Sequence, residues 1–497
     1  MASQSGSTDR PSALGERGIL ARRKAQQTRR YYTLTAASTL VPGLGLVRTR
    51  RRTAWGIIAA FVLTLLVALG YALTKGVTSS VIGVGVSRTA LMVLIPVIVL
   101  GALAWIWGIV TTARDNMPED TSGRPKTAMV LFAALAALLV FAPAAQSVRY
   151  AVIQRSLIDN VFDQLRPAGA VAPVEGRDPW AGTDRVNIML VGSDAGSDRV
   201  GIRPDSIMVA SVDAQTGETV LFGIPRNLQN VPFSADNPLS KQYPEGYNCG
   251  DQCLMEFVWT LGTDNADLFP GDSNPGLTVT KDAASQILGL DIDYTSVINL
   301  EGFTQLVDAM GGVEIDVKER VCIGCKIDAS GTVVGTTGYI EPGVQRLDGY
   351  RALWYSRSRA ESVDGDFSRM RRQRCMVGAL LNQVNPTSML LRYPDLAKTL
   401  QDNVRVDIPQ QDLSAWADLV LRIQEEGKIQ SLPLTNKNID VNHPDYAKIH
   451  AMVDKAINPP EPAPAPRRSS TSPKPSPTSS TSEPTSEDEL SDLTTTC

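Results

Sequence analysis

The sequence predicts an α/β domain, built on a mixed central sheet flanked by helices, that follows three transmembrane helices and precedes a disordered tail. Nearly all uninterrupted apolar sequence lies before Gln146, whereas strand and helix patterns alternate across residues 180–458. Proline, serine and threonine dominate from Pro459 onward. A chain of 497 residues exceeds what one hydrophobic core accommodates, so separate units are expected.

Residues 1–53 form a basic segment, in which eleven basic residues outnumber two acidic ones. Such a segment could contact nucleic acid, but no helix-turn-helix pattern or aromatic-lined basic sheet accompanies it. A basic flank directly before an apolar run fixes membrane orientation, so we expect this segment to be cytoplasmic. Within it, residues 31–47 are apolar but short and interrupted by Pro42, Gly43 and Gly45. They predict an interfacial or re-entrant helix.

Three apolar stretches are long enough to cross a bilayer: residues 54–74, 89–112 and 127–148. The first has 21 residues without a charge, and at about 1.5 Å per residue it covers the roughly 30 Å of hydrocarbon. It is too long, and too far from Met1, to be a cleavable signal peptide. With the basic N-terminus inside, three crossings place everything after Arg149 outside the cell membrane. The chain is therefore predicted to be a multi-pass membrane protein with an extracytoplasmic domain.

Residues 149–179 are expected to link the membrane part to a globular domain at residues 180–458. The domain alternates strand and helix patterns, beginning with the apolar run Val186–Val191, which ends at Gly192 and is typical of a buried strand. Mixed α and β elements around one sheet are the economical architecture for such a pattern. Residues 459–497 have almost nothing to bury, so they predict a disordered, extended tail.

All six cysteines lie after the third apolar stretch, on the side of the membrane where disulfides persist. Their spacing also permits a zinc site, with C-x3-C and a distant C-x2-C. The chain has only two histidines and the compartment is oxidising, so we favour local disulfides. The predicted pairs are Cys249–Cys253 and Cys322–Cys325. The remaining two, Cys375 and Cys497, could pair or stay free.

Several charged residues lie at the ends of predicted strands, where α/β folds place ligands, or on one face of a predicted helix. They are Asp194, Arg203, Asp205, Arg226, Arg357, Arg359, Arg369 and Gln373. Arg357 and Arg359 would point to one side if their segment were extended. Arg369 and Gln373 are four residues apart and share a helix face, as does Arg372.

This set of residues indicates chemistry on phosphate. Arginine forks bind phosphate oxygens bidentately and keep their charge. Two carboxylates with few other ligands suit Mg²⁺, which bridges to substrate phosphates. No Walker-type loop, Ser-His-Asp order or HExxH motif occurs. Singly these arginines would form ordinary surface ion pairs, but as a set at strand ends they predict phosphoryl transfer by positioning and charge neutralisation.

Short motifs recur in order across the domain. They are Asn187–Asp194, Arg203–Ser206, Ile224–Arg226, Gly302–Val313, Leu347–Tyr350, Tyr355–Arg359, Gly365–Arg369 and Arg372–Gln373. Each is weak alone, but their ordered co-occurrence is specific. Over roughly residues 186–381 the sequence resembles the LytR-CpsA-Psr (LCP) family. One departure is Asn227, because the family commonly has aspartate after the Pro-Arg pair.

The resemblance implies an LCP-type phosphotransferase that moves a glycopolymer from a polyprenyl-pyrophosphate carrier to peptidoglycan through a phosphodiester bond. It implies that Asp194 and Asp205 bind or organise Mg²⁺ or Mn²⁺. The residues expected to hold the pyrophosphate are Arg203, Arg226, Arg357, Arg359, Arg369 and Gln373. The implied catalytic residues are Asp205, Arg226 and Arg203. The family also has an apolar tunnel for the lipid between sheet and helices, which this sequence does not display.

Two other functions fit the same residues. One is a membrane-tethered sensor that binds lipid-linked wall precursors without turning them over. The other is a pyrophosphatase that uses water as the acceptor. Metal dependence separates the sensor from the enzymes, since a sensor need not require both Asp194 and Asp205. Nucleic acid is excluded as a ligand of the site, because the basic segment and the domain are expected on opposite sides of the membrane.

Overall fold

The structure is a computed structural model, and the chain divides into two compact units, Met1–Arg155 and Ser156–Cys497. The described residues are 13–119, 121–176, 178–193, 203–250, 252–328, 330–362, 365–383, 393–425, 428–459 and 490–492.

The N-terminal unit is helical. Its helices are α1 (Ala13–Leu40), α2 (Arg51–Lys75), α3 (Val77–Val86), α4 (Arg88–Asp115) and α5 (Arg124–Val161). Three helices among the described residues are long and apolar enough to cross a membrane, and their spans are Arg51–Thr74, Arg88–Asp115 and Arg124–Val161. The three apolar helices that the sequence predicts are therefore present. Many of their large apolar side chains are exposed, as lipid-facing residues should be.

Of residues 31–47, the first ten are the last turns of α1, which begins at Ala13 and stops at Leu40, and Leu44–Leu46 form a 3₁₀ turn. The interfacial or re-entrant placement of this segment stays a prediction. The last turns of α1 pack within the helical unit. The Tyr31 hydroxyl donates to the Met129 carbonyl at 2.8 Å, and the Trp105 indole N–H donates to the Ser38 carbonyl at 2.9 Å. These two hydrogen bonds, one buried and one partly buried, fix the end of α1 against α4 and α5.

The C-terminal unit is an α/β domain. Its strands are β1 (Phe162–Asp163), β2 (Arg185–Ser193), β3 (Pro204–Asp213), β4 (Thr219–Ile224), β5 (Tyr294–Asn299), β6 (Val313–Val317), β7 (Val321–Ile323), β8 (Lys326–Ile327), β9 (Val333–Val334), β10 (Gly338–Ile340), β11 (Gly343–Leu347), β12 (Val404–Pro409), β13 (Ile429–Pro433) and β14 (Ser491–Asp492). Its helices are α6 (Val258–Asp264), α7 (Pro275–Leu288), α8 (Leu300–Met310), α9 (Gly349–Arg357), α10 (Asp366–Asn382), α11 (Tyr393–Asn403), α12 (Leu413–Glu425) and α13 (Tyr446–Ile457).

The main sheet, over the described residues, has the order β1-β12-β5-β2-β3-β4-β13-β14. β2 pairs parallel with β5 and antiparallel with β3, while β4 pairs antiparallel with β3 and parallel with β13. The predicted mixed central sheet flanked by helices is confirmed. Every residue of β4 is buried, which requires cover on both faces. Residues of α7 and α13 share its main core, and α10 contacts both β4 and β13.

The Leu-Asp-Gly motif before α9 has a structural cause. Asp348 caps the helix by accepting the Arg351 N–H at 2.8 Å. The N–H of Gly349 donates to Asp308 of α8 at 2.7 Å. A Cβ at Gly349 would overlap the carbonyl of Thr304, so glycine alone lets α9 approach α8 this closely. The motif therefore positions the helix that ends at Arg357.

The domain begins earlier than the sequence predicts. Within the expected linker at residues 149–179, β1 pairs with β12. The Val171 N–H donates to the buried Asp293 carboxylate at 3.0 Å. At the other end, β14 pairs with β13, and Leu490 packs on the core. Most of the predicted disordered tail at residues 459–497 lies outside the described residues.

The two predicted local disulfides, Cys249–Cys253 and Cys322–Cys325, are both present. Cys375 is also disulfide-bonded. The sixth cysteine, Cys497, lies outside the described residues.

Candidate functional site

Three arginines and two aspartates meet where β2, β4 and β5 end and the antiparallel β3 begins. Asp205 is the second residue of β3, and Arg226 follows β4. Asp366 and Arg369 form the first turn of α10, and Arg359 lies just after α9. The residues come from four separate segments, and the sheet and the two helices bring them to one point. We call these five residues the arginine cluster.

The two carboxylates bridge all three guanidinium groups. The Oδ1 atom of Asp205 lies 3.4 Å from Arg226, 3.3 Å from Arg359 and 3.5 Å from Arg369. The Oδ1 atom of Asp366 lies 3.3, 3.1 and 3.0 Å from a different nitrogen of the same three arginines, in the same order. Each arginine thus touches both carboxylates, which holds three like charges close together.

Arg369 is the most buried member of the cluster, with 1% of its side chain exposed. Burial lowers its pKa to about 10, so the guanidinium remains charged at neutral pH. Burial, and next the charge of Arg226, also lowers the pKa of Arg359. Among the described residues, the Nε and Nη1 atoms of Arg369 make no hydrogen bond, although Nη1 lies 3.5 Å from Oδ1 of Asp205 in an ion pair. A buried guanidinium whose hydrogen bonds are incomplete suits an anionic ligand.

Glu256 adds a third carboxylate, because its Oε2 atom lies 2.6 Å from Nη1 of Arg226. The Glu256 N–H donates to the Arg226 carbonyl at 2.9 Å, so backbone hydrogen bonding brings the two residues together. No motif signals this contact in the sequence. Asp366, in contrast, lies three residues before Arg369 on one helix, a spacing that could have identified it.

An open cleft of about 610 Å³ lies over the cluster. Its charged lining residues are Arg203, Asp205, Arg226, Glu256, Lys326, Arg357 and Arg359. Five cations therefore face two carboxylates, an excess of three positive charges. The Arg203 guanidinium lies 5.2 Å from the centre of the Phe257 ring, and that of Arg357 lies 5.8 Å from the centre of the Trp354 ring. This charge excess favours a multiply charged anion.

A second cavity, of about 250 Å³, starts at the cluster and lies between the sheet and helices α8, α9 and α10. Its apolar lining includes Leu190, Met208, Ile298, Phe303, Leu353 and Leu380. Asp205, Arg369 and Gln373 border it as polar residues. The cavity suits a hydrocarbon chain, because few polar groups would lose their hydration when it fills.

Most of the predicted site residues line the cationic cleft or the apolar cavity. Two of the predicted residues differ from the others. Asp194 lies outside the described residues. No hydrogen bond joins Gln373 to the arginines among the described residues; its amide nitrogen donates to the Ser356 carbonyl at 3.2 Å. The condition under which alternation would direct Arg357 and Arg359 to one side, an extended segment, does not hold, since Arg357 is the last residue of α9. Both nonetheless line the cleft, because the chain turns out of the helix between them.

Arg372 does not join the cluster, although it shares a helix with Arg369. It is buried and donates to the Tyr355 carbonyl at 2.7 Å and to the Ser358 carbonyl. It also pairs with Glu319 at 2.5 Å. These bonds satisfy carbonyls at the end of α9 and fix the segment that carries Arg359.

The chemistry of the donor set is compatible with a divalent cation. Asp205 makes its nearest contacts to all three arginines through Oδ1. The described residues give Oδ2 no hydrogen bond, which leaves one carboxylate oxygen for a metal. No group of three or more His, Cys, Asp or Glu residues suited to a metal occurs among the described residues. Mg²⁺ commonly has only one or two carboxylate ligands and completes its shell with water and substrate phosphates.

The sequence of this domain is similar to those of several curated proteins. A polyisoprenyl-teichoic acid–peptidoglycan teichoic acid transferase TagU of Bacillus licheniformis is 23% identical over 296 residues, covering 58% of this chain and 81% of the relative. Biofilm regulatory protein A of Streptococcus mutans is 27% identical over 237 residues, covering 47% of this chain and 52% of the relative.

Solved structures with a similar fold include protein gbs0355 of Streptococcus agalactiae, with 19% identity and a TM-score of 0.41. The match covers 56% of this chain and 89% of that one. TagT of Bacillus subtilis has 19% identity and a TM-score of 0.37, covering 59% of this chain and 97% of that one. The LytR_cpsA_psr family model matches residues 162–457, more than half of the sequence. The chain therefore belongs to the LytR-CpsA-Psr family.

Proposed function

We propose that this protein transfers a glycopolymer from a polyprenyl-pyrophosphate carrier to peptidoglycan, forming a phosphodiester bond. The observation that carries the proposal is the position of the arginine cluster between an open cationic cleft and an apolar cavity. A ligand that fits both sides has a long hydrocarbon chain, a charged group at the cluster and a polar portion in the cleft. A lipid-linked diphosphate glycan has these three parts in that order.

The diphosphate would bind to the arginines. Arg369 offers two buried nitrogens without a hydrogen-bond partner among the described residues. Arg226 and Arg359 lie beside it, and Arg203 and Arg357 line the same cleft. Bidentate arginine–phosphate contacts are strong and directional. The prenyl chain would enter the apolar cavity, where its burial contributes about 0.8 kcal/mol for each CH₂ group.

The reaction is a substitution at phosphorus. The oxygen of a peptidoglycan hydroxyl would attack the phosphorus next to the glycan and form the new phosphodiester. The bond from that phosphorus to the bridging oxygen would break, and the polyprenyl phosphate would leave. The hydroxyl proton would pass to a carboxylate, for which the cleft wall offers Asp205 and Glu256. Arginines that are already in place stabilise the charge that develops on the oxygens.

Mg²⁺ or Mn²⁺ would be held by Asp205, with Asp194 as the second ligand implied by the family resemblance. When bound, the ion would neutralise charge on the diphosphate. The domain would act outside the cytoplasm, with the basic N-terminus inside, as the distribution of positive charge predicts.

The test uses the full chain in detergent, with a polyprenyl diphosphate that carries a disaccharide and with peptidoglycan fragments as acceptor. Release of polyprenyl phosphate and formation of the linked product are followed with and without Mg²⁺. We expect metal-dependent transfer that is lost in Asp205→Ala and Arg226→Ala. Arg405→Ala, which removes an exposed arginine of β12, is the matched control and should retain transfer.

Two outcomes would contradict the proposal. Tight binding of the lipid-linked substrate without turnover, even with acceptor present, would support the sensor. Release of polyprenyl phosphate without any linked product, although peptidoglycan fragments are present, would support the pyrophosphatase.

A further inference from the structure

We propose that the outer part of the cleft is a sugar-binding subsite, in which Trp354 supports the first sugar of the glycan and Lys326 faces it from a disulfide-closed hairpin. This inference rests on the proposed function, and it names residues that would contact the glycan rather than the diphosphate. The position of the subsite follows from the path that the ligand would take through the domain. If the prenyl chain occupies the apolar cavity, the glycan must leave the arginine cluster through the open cleft.

One wall of that outer cleft is aromatic. Trp354 lines the cleft and is half-buried, one turn of α9 before the end of the helix. Tyr350, one turn earlier, is 52% exposed, and its ring lies 6.4 Å from that of Trp354 in an edge-to-face arrangement. Four residues of helix advance about 6 Å, so the two rings form a short line directed away from the cluster. An aromatic ring offers a flat apolar surface to a sugar face while the sugar hydroxyls stay hydrated.

Another part of the wall is a short hairpin. Cys325, Lys326 and Ile327 line the cleft, and β8 pairs with β9 through Lys326–Val334 and Ile327–Val333. The Cys322–Cys325 disulfide closes the turn that leads into this hairpin. Ile327 is 56% exposed although it is apolar. A covalently closed turn limits the motion of the backbone that carries Lys326, so this lysine remains part of the cleft wall.

The positive charge of Lys326 on this wall is separate from the arginine cluster that would hold the diphosphate. Arg226, Arg359 and Arg369 form ion pairs with the carboxylates at the cluster. Lys326 lies on β8, a different segment of the chain, and is not part of that cluster. A lysine offers three donors on a flexible stem, which suits hydroxyl and carbonyl oxygens of a sugar rather than a bidentate phosphate contact.

The experiment measures binding to the full chain in detergent, using two probes with the same prenyl chain. One is a polyprenyl diphosphate without a sugar, and the other carries one N-acetylglucosamine. The wild type should bind the sugar-bearing probe more tightly. Trp354→Ala should weaken that probe by about five- to tenfold, since a ring contact contributes on the order of 1 kcal/mol. The sugar-free probe should weaken less, because it loses only the contact between Trp354 and Arg357.

Two further variants separate recognition from folding. Trp354 also packs against a hydrophobic core, so Trp354→Phe should keep the fold and most of the preference for the sugar. Lys326→Gln changes an exposed side chain and should reduce binding of the sugar-bearing probe only. Lys318→Gln, an exposed lysine of the same region that pairs with Asp316, is the matched control and should change neither probe.

The outcomes distinguish the two proposals. A wild type that binds both probes equally, or a Trp354→Ala variant that weakens both to the same extent, would overturn the sugar subsite and leave the proposed function standing. A wild type that binds neither probe would overturn the proposed function and the subsite together.

Discussion

Two charge clusters lie at opposite ends of the central strands, and they differ in how their hydrogen bonds are satisfied. The arginine cluster lies where β2 and β5 end. A second cluster, formed by Lys281, Asp293 and Asp407, lies where the same two strands begin. Both carry charge into a partly dehydrated environment. One is open to a cleft, and the other is enclosed by backbone.

In the Lys281 cluster, every oxygen of the two carboxylates accepts a hydrogen bond. The two oxygens of Asp293 accept the N–H groups of Val171 and Asn187 at 3.0 and 2.8 Å. Those of Asp407 accept the N–H and the hydroxyl of Thr295 at 2.6 and 2.8 Å. Burial raises the pKa of both aspartates and lowers that of Lys281.

In the arginine cluster, Arg369 keeps buried donors that no described residue fills. A cluster whose hydrogen bonds are complete stabilises the fold, whereas one with spare donors beside a cavity is prepared for a ligand. This difference predicts opposite effects of mutation on stability and on activity.

The largest expected effect is on catalysis, for Arg369→Met. Removing a buried guanidinium aimed at a diphosphate should lower kcat/KM by about a thousandfold, in the range found for lost electrostatic stabilisation. The melting temperature should fall by only a few degrees, because Arg226 and Arg359 still neutralise the two carboxylates that lose their contact with Arg369. Transfer assays and thermal unfolding of the full chain measure both. Retained transfer together with a much lower melting temperature would assign Arg369 to structure instead.

Asp293→Ala should show the reverse pattern. It leaves the N–H groups of Val171 and Asn187 buried without acceptors, so the free energy of unfolding should fall by about 3 kcal/mol. The kcat of the folded fraction should not change, since Asp293 lies at the far end of the strands. Chemical unfolding and active-site-normalised kinetics provide the test. A loss of kcat in correctly folded protein would break the proposed division between the two clusters.

Asp366→Ala tests a residue that touches all three arginines of the cluster. Its removal leaves Asp205 as the one carboxylate shared by the three guanidinium groups, which should then separate. We expect kcat/KM to fall by about a hundredfold, with Asp366→Asn intermediate because the amide oxygen still accepts a hydrogen bond. Equal activity in both variants and the wild type would show that the arginines hold their places without it.

The sequence predicts the parts of this site that depend on local pattern. Apolar runs give the three long helices, and charged residues at strand ends identify Arg226 and Asp205. Arg357 and Arg359 do not lie on one extended segment, because capping by Asp348 and the bonds from Arg372 hold α9 as a helix up to Arg357. Alternation alone could not reveal these bonds.

The remaining features depend on tertiary contacts. Glu256 reaches Arg226 through backbone hydrogen bonds between distant segments, and nothing in its own neighbourhood in the sequence indicates it. The apolar cavity takes its lining from three strands and three helices, so no single stretch displays it. A family resemblance could imply such a cavity, but only the packing of α8, α9 and α10 on the sheet creates it.

The smallest expected effect concerns a charge pair at the surface, which provides a reference for both clusters. The Arg422 guanidinium donates to Asp178 at 2.5 Å, and this hydrogen bond holds the pKa of the carboxyl below its usual 3.8. A lowered folded-state pKa contributes stability above the unfolded value, and that contribution is lost as the pH falls through the folded one. Asp178→Asn should therefore destabilise the protein at pH 7 by no more than about 1 kcal/mol, because both side chains are about one-third exposed. Unfolding of variant and wild type at pH 7 and pH 3 should show the gap narrowing at the lower pH. A gap that widens at pH 3 would mean that Asp178 acts through its neutral form, as the buried aspartates with raised pKa values do.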